Sequence, residues 1–526
     1  MRRKLADFGD LTPAEQKVRD GIGLGRGVLV GLGRPTATAG EDRQIRGEFI
    51  RYLMLGGCEG LEYPVHEIGV AIIGARVTDE LDLYGAKCRC DLSLYNCHFD
   101  DAPTLNSSEI GGLYLDGSAV PGLEAQRLIT RGGVHLRARA ETSFQATGTI
   151  DLTGAHIGDN LDCSGAKLLG AEGADALIAE RARISGSLLL NADGPLAFKA
   201  QGMISLVGAE IGSQLCCVGA ELSAAPDSWA LQADSVRVLG GFFLKDGTKV
   251  DGVLDLSNAE LGAINDTDDS WPQKGNLVLD RCRYGAFMGK DVSAKARIRW
   301  LGLQDWSKFD KDFWPQPWEQ CAKVLREMGH GEDACRVLID KERRQRQWRR
   351  QKVGTIERRI LWLGDMLMAV TTRYGRRPLL AFAWLAAIWL IGCGVFFAAA
   401  QHDAIKPNNP FVLRSPEWTA CRDSYTTTDG MLSARPEAAP AESQLDCFLQ
   451  QPEAKSYPVF NHWIYSADTL LPIVAMEMQE FWIPDETQGW VGRYARYYLW
   501  VQIALGWALS LLAVAGFSGL IKTDNT

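Results

Sequence analysis

Two hydrophobic patterns divide this chain. Before residue 300, apolar residues recur about every five positions, each beside a small one: Leu152, Ile157, Leu161 and Leu168 alternate with Ala155 and Ala166. An amphipathic helix would show a period of about 3.6, and a half-exposed strand a period of 2. The observed spacing predicts short strands joined by turns and stacked coil on coil, with Leu, Ile or Val inside and Gly or Asn at the turns. The block GTIDLTGAHIGDNLDCSGAKLL from Gly148 recurs as GMISLVGAEIGSQLCCVGAELS from Gly202, about 54 residues further on. A third copy starts at Gly252, a degraded one at Ile73, and shorter echoes lie at 110–120 and 184–190. Polar insertions at 226–250 and 265–275 interrupt the pattern. The predicted fold for 61–299 is a mainly β, right-handed parallel β-helix. Within the preceding 1–60, a flexible segment leads to a capping helix at 41–60, with Ile45, Phe49, Leu53 and Met54 on one face.

The second pattern begins at residue 378. Residues 378–400 read PLLAFAWLAAIWLIGCGVFFAAA, and 498–521 read YLWVQIALGWALSLLAVAGFSGLI, both without charge. At 1.5 Å per residue, each is long enough to cross a hydrocarbon core about 30 Å thick. Tyr494, Tyr497, Tyr498 and Trp500 at the start of the second suit a membrane interface. Gly506 and Ser510 form a small-xxx-small pair, which predicts close helix contact there. Two transmembrane helices are expected, joined by an external loop over 401–497.

Between the two patterns, 313–352 reads as a helical hairpin broken at Gly329-His330-Gly331. Trp318, Cys321, Val324 and Leu325 share one face of the first helix; Ala334, Val337, Leu338 and Lys341 share one of the second. A packed cap on the end of the β-helix is the expected role. Residues 353–377 form a basic amphipathic helix, with Ile356, Ile360, Leu363, Leu367 and Val370 at one-face spacing. Its Arg358 and Arg359, and then Arg373, Arg376 and Arg377, suit the surface of anionic lipid.

Charge decides the expected orientation. The 35 residues before the first span hold many arginines against only Glu357 and Asp365, whereas the loop between the spans is rich in Asp and Glu. The positive-inside rule then puts both termini and the β-helix in the cytoplasm of a bacterium whose inner membrane holds the spans. Arg2, Arg3 and Lys4 precede no apolar h-region, so no secretory signal is read. Cytosolic cysteines are expected to be reduced, inward-facing thiols, while Cys421 and Cys447 in the external loop can form a disulfide.

One loop segment, 461–486, is apolar yet too short and too charged to span. Two readings stay open. It is an interfacial helix on the outer leaflet, or it dips between the spans as a re-entrant helix, in which case Asp468, Glu477 and Glu480 would form carboxylate rings favouring cations.

The blocks GAHIGDNLDCSGAKL and GAEIGSQLCCVGAEL resemble those of bacterial pentapeptide-like repeat membrane proteins of a kind called membrane-associated oxidoreductases. The YSADTLLP segment at 465–472 is similar to one before the last span of the same family. The resemblance implies a repeat fold; an oxidoreductase activity rests on the family's name alone, since solenoids host unrelated functions. No cofactor is expected. The glycine-rich stretch 21–33 contains no GxGxxG, and Gly285–Lys290 is one residue short of a phosphate-binding loop. No metal-ligand or nucleophile motif is found, and no catalytic residue is assigned. The basic run at 343–352 sits beside a span, which favours lipid over nucleic acid. The expected roles are a membrane-anchored scaffold or sensor with a cytoplasmic protein partner on the β-helix or, alternatively, a cation channel gated by that domain. The chain is expected to assemble as a homo-oligomer.

Overall fold

The computed structural model describes residues 4–57, 64–170, 173–225, 228–289, 291–305, 312–374, 376–377, 379–423 and 444–517. It comprises two compact units, Met1–Gln345 and Arg346–Thr526.

The first unit is built on parallel sheets of 17, 9 and 7 strands, most strands being only two or three residues long. Ile129 pairs with His156, His156 with Arg183, and Arg183 with Glu210. Over this stretch the chain therefore returns to the same sheet every 27 residues, while the returns before and after it take 20 to 23, and the 54-residue repeat seen in the sequence is two returns. The echo at 184–190 is the return between them: its Ile184 and Leu188 take the places of Ile157 and Leu161. Leu161 and Leu215 thus share a column but are not neighbours, since Leu188 lies between them.

Backbone conformation explains the doubled period. Each return turns through a left-handed residue, at 85, 107, 127, 154, 181, 208, 235, 258 and 281. Glycine fills that position at Gly85, Gly154 and Gly208, and Ser107, Arg127, Arg181, Ser235, Asn258 and Arg281 adopt the same conformation without it. A left-handed non-glycine residue costs roughly 1–2 kcal/mol, which the pairing on both sides must offset. The glycine signature marks alternate returns, while the fold uses every one.

The core is a set of apolar columns. One runs Val70, Leu92, Leu113, Val134, Leu161, Leu188, Leu215, Phe242, Ile264 and Phe287, every member paired in register with the next and every one buried. Another, in the seven-stranded sheet, runs Leu123, Ile150, Leu177, Ile204, Leu231, Leu254 and Leu277. The region 226–250, expected to interrupt the stack, instead supplies three strands, Trp229–Gln232, Arg237–Lys245 and Lys249–Asp251. The interruption after residue 265 is real: the strand Glu260–Asp266 ends in a short 3-10 turn.

The N-terminal residues, expected to be flexible, are folded. Helix α1 (Pro13–Gly21) opens on Pro13 and a capping box between Thr12 and Glu15. Glu15 is fully buried, 2.6 Å from Arg46. Val28–Leu29 pairs in parallel with Ile72–Ile73, joining the glycine-rich stretch to the largest sheet. The capping helix α2 is shorter than expected, Gly47–Met54, because Gln44–Arg46 pairs as a strand with Arg76–Thr78.

At the other end the strands stop at Phe287–Met288. Three helices follow: α3 (Ala294–Leu301), α4 (Gln316–Glu327) and α5 (Gly331–Gln351). The amides of Gln316 and Gln320 on α4 donate to the carbonyls of Cys282 and Tyr284, covering polar groups of the last return. The two hairpin faces expected from the sequence are the buried ones.

The second unit holds α6 (Thr355–Thr371), α7 (Leu379–Gln401), α8 (Pro410–Leu413), α9 (Pro416–Asp423), α10 (Gln444–Gln450), α11 (His462–Leu470), α12 (Met478–Phe481) and α13 (Gly489–Phe517). Helices α7 and α13 are long and apolar enough to cross a membrane. Ile405–Pro407 pairs antiparallel with Trp482–Pro484, which closes the base of the segment between them.

Candidate functional site

The most built feature of the second unit is the seat of α11. Asn461 caps this helix, accepting from the amides of Trp463 and Ile464. Its residues pack against the middles of both long helices. Ser466 Oγ donates to the carbonyl of Trp389, 2.9 Å away, and Trp389 Nε1 donates to the carbonyl of Trp463. Gln502, fully buried near the middle of α13, reaches α11 through its amide nitrogen, which lies 2.7 Å from Ser466 O and 3.0 Å from Thr469 Oγ1. Further toward its C-terminus, Leu470 joins Leu385 and Leu509 in an apolar cluster. At its other end Tyr465 meets Phe396 edge to face, with ring centres 4.7 Å apart.

Two glycines admit these contacts. A Cβ at Gly392 would overlap Ser466 Oγ and Gln502 Oε1, and a Cβ at Gly506 would overlap the carbonyl of Leu470. Gly506 therefore makes the close helix contact that its spacing with Ser510 predicted, and the helix it admits is α11. Sequence reasoning missed Gln502, Ser466 and Thr469. The available signal was one amide side chain inside an otherwise apolar run, since a polar residue there needs an internal partner.

The chain leaves α11 as non-helical backbone. Ile473, Val474 and Met476 in this return are exposed, Ile473 at 80%. Asp468 holds the loop in shape: one carboxylate oxygen accepts from the amide of Met476 and the other from that of Gln479, each at 2.7 Å. Glu477, in a left-handed conformation, and Glu480 are exposed. Of the three carboxylates that the re-entrant reading groups together, Asp468 fixes the turn, and Glu477 and Glu480 are exposed beside it.

Beyond the return, Tyr457 Oη donates to Phe481 O, and Trp482 Nε1 to Pro458 O. Asp485, held near Lys406, has its carboxyl pKa moved in two directions: burial raises it, but hydrogen bonds from Lys406 and Thr487 outweigh burial and leave it below the ordinary carboxylate value. Cys421 and Cys447 are joined as a disulfide beside Phe448 and Ala454.

The basic residues fall into two groups, one at the start of α6 and one just after its end. Arg358 and Arg359 are in its first turn beside Arg350, while Arg373, Arg376 and Arg377 lie in the turn that leads to α7. Its apolar positions Ile356, Ile360, Leu363, Leu367 and Val370 are all exposed. Comparison with protein-family models, curated proteins and solved structures finds no match for this chain.

Proposed function

We propose that the chain is a cation-conducting membrane protein of a bacterial inner membrane. Residues 346–526 form the pore as a homo-oligomer, and the N-terminal sheets form a right-handed parallel β-helix in the cytoplasm. The observation that carries the reading is the place of α11, locked by Gln502, Ser466 and Thr469 between two membrane-length helices near their middles. Backbone that enters a bilayer and turns back is stable only where protein buries it or water lines it. The return at 471–477, with exposed Ile473 and Val474 at that depth, meets the requirement when copies of the chain surround a common axis. Glu477, at the end of that return, and Glu480 then supply negative charge along the path, which favours cations. The 27-residue returns and continuous columns support the β-helix.

Full-length chain reconstituted in a planar bilayer is expected to carry cation-selective current. Glu477→Gln with Glu480→Gln should lower the cation-to-anion permeability ratio several-fold. Asp468→Asn should instead reduce the number of active channels, because it weakens the turn. Absence of current from the wild type at any membrane potential would overturn the pore and leave an anchored scaffold that offers its β-helix to a cytoplasmic partner.

Orientation has its own test. A reporter before Arg2 or after Thr526 is expected to read as cytoplasmic, and one inserted at Ala439 as external. Residues 2, 439 and 526 lie outside the described residues. Opposite labelling at either end would reverse the assignment.

A further inference from the structure

Helices α5 and α6 meet in a tight turn, and the last turns of α5 face the first turns of α6 across a cavity of about 310 Å³. Gln347, Arg350 and Gln351 line it from α5, and Arg358, Arg359 and Trp362 from α6. The volume is at the small end of ligand pockets, which run from about 300 to 1,000 Å³.

The cavity carries net positive charge for a structural reason. Asp365 is buried on α6 and accepts from two arginines at once, Arg346 at 2.9 Å and Arg350 at 2.8 Å. Arg350 thus has a counter-charge, and Arg358 and Arg359 are the lining cations beyond it. Arg358 donates to the carbonyls of Arg350 and Val353, which orient its guanidinium over the turn without cancelling its charge. Arg359 adds a further cation at the same wall. Planar guanidinium groups bind phosphate oxygens in pairs, while the wall of the cavity itself is mostly the apolar stems of these side chains.

The surroundings select the form of phosphate. Trp362, half exposed, is a residue type concentrated at headgroup depth. The exposed apolar row from Ile356 to Val370 runs along the same helix toward α7. A helix with that face in the acyl layer places its first-turn arginines among headgroups. We propose that this cavity binds the phosphate of an anionic phospholipid such as phosphatidylglycerol, with the acyl chains lying along α6. The site rests on the bilayer placement of α7 and α13, not on conduction.

The full-length chain would be reconstituted in vesicles of phosphatidylglycerol mixed into phosphatidylcholine and extracted in mild detergent, and its retained lipid measured by mass spectrometry. Phosphatidylglycerol is expected to be enriched over phosphatidylcholine. Arg358→Gln with Arg359→Gln should lower the enrichment by roughly 10- to 30-fold, as expected for two well-placed arginines. Arg343→Gln with Arg349→Gln removes the same charge from α5 outside the cavity, and should leave most of the enrichment. Equal losses from both pairs would show diffuse attraction and overturn the site. Displacement of the lipid by inorganic phosphate would show a site for the free ion and overturn the lipid assignment. Tighter retention of RNA than of lipid by the wild type would assign the arginines to nucleic acid and overturn it too. Flotation with pure phosphatidylcholine vesicles separates the underlying reading. A chain that does not stay with them loses its spans and this site together, whereas one that stays but does not discriminate between lipids loses the site alone.

Discussion

Replacing Leu161 with Asp is expected to abolish cooperative melting of the N-terminal unit. Leu161 has no exposed surface and stacks in register between Val134 and Leu188. Removing a buried leucine side chain alone costs about 2–5 kcal/mol. A carboxylate in its place has no counter-charge inside the apolar column, and its desolvation adds several kcal/mol more. Together these approach the whole stability of an ordinary domain, about 5–15 kcal/mol. In a stack, the loss spreads, because each return is stabilised by its two neighbours. Circular dichroism of the full-length chain in detergent would show the β transition broadened or absent. Leu161→Met, which nearly conserves volume, should melt within about 1.5 kcal/mol of wild type. A wild-type melt for the Asp variant would mean that the column does not face inward.

The second large effect is expected at Arg297. This residue and Asp266 are both about 2% exposed in their side chains and make two hydrogen bonds, at 2.9 and 2.8 Å. Trp271 Nε1 donates to the same carboxylate, and the guanidinium lies 3.9 Å from the ring centre of Phe287. The pair ties α3 to the end of the strand Glu260–Asp266, one return before the column finishes at Phe287. Arg297→Met should destabilise the unit by about 3–5 kcal/mol, because Asp266 stays buried with one neutral donor. Adding Asp266→Leu should restore most of that loss, since an apolar pair of similar volume avoids both desolvation costs. Urea unfolding followed by tryptophan fluorescence measures both variants. A double variant as unstable as the single one would show that the ion pair is needed for the packing itself.

Local chemistry was legible in the sequence wherever one stretch of chain carries the whole signal. The membrane-length runs at 378–400 and 498–521 meet their condition through length and lack of charge alone, and they correspond to α7 and much of α13. The hairpin α4–α5 was legible because its buried residues repeat at helical spacing and Gly329 ends the first helix in a left-handed conformation. Inward positions such as Leu152, Ile157, Leu161 and Leu168 were legible for the same reason, and all four are buried.

Tertiary structure decided what depends on contacts between distant residues. The 27-residue return was hidden because Arg127, Arg181 and Arg281 fill turn positions that glycine fills at 154 and 208; sheet pairing, not residue preference, holds them there. The glycine-rich stretch 21–33 carries no strand signal of its own, and it is ordered where Val28–Leu29 finds the edge offered by Ile72–Ile73. The segment after residue 461 was equally ambiguous, because an interfacial helix and a buried one of this length have the same composition. Its seat depends on Gln502 and on the space left at Gly392 and Gly506, residues far away in the chain. The part Asp468 plays was likewise hidden until the loop it shapes brought the amides of Met476 and Gln479 to its two oxygens. A sequence specifies the preferences of each segment; which of two permitted environments a segment occupies is a difference in free energy that only its partners supply.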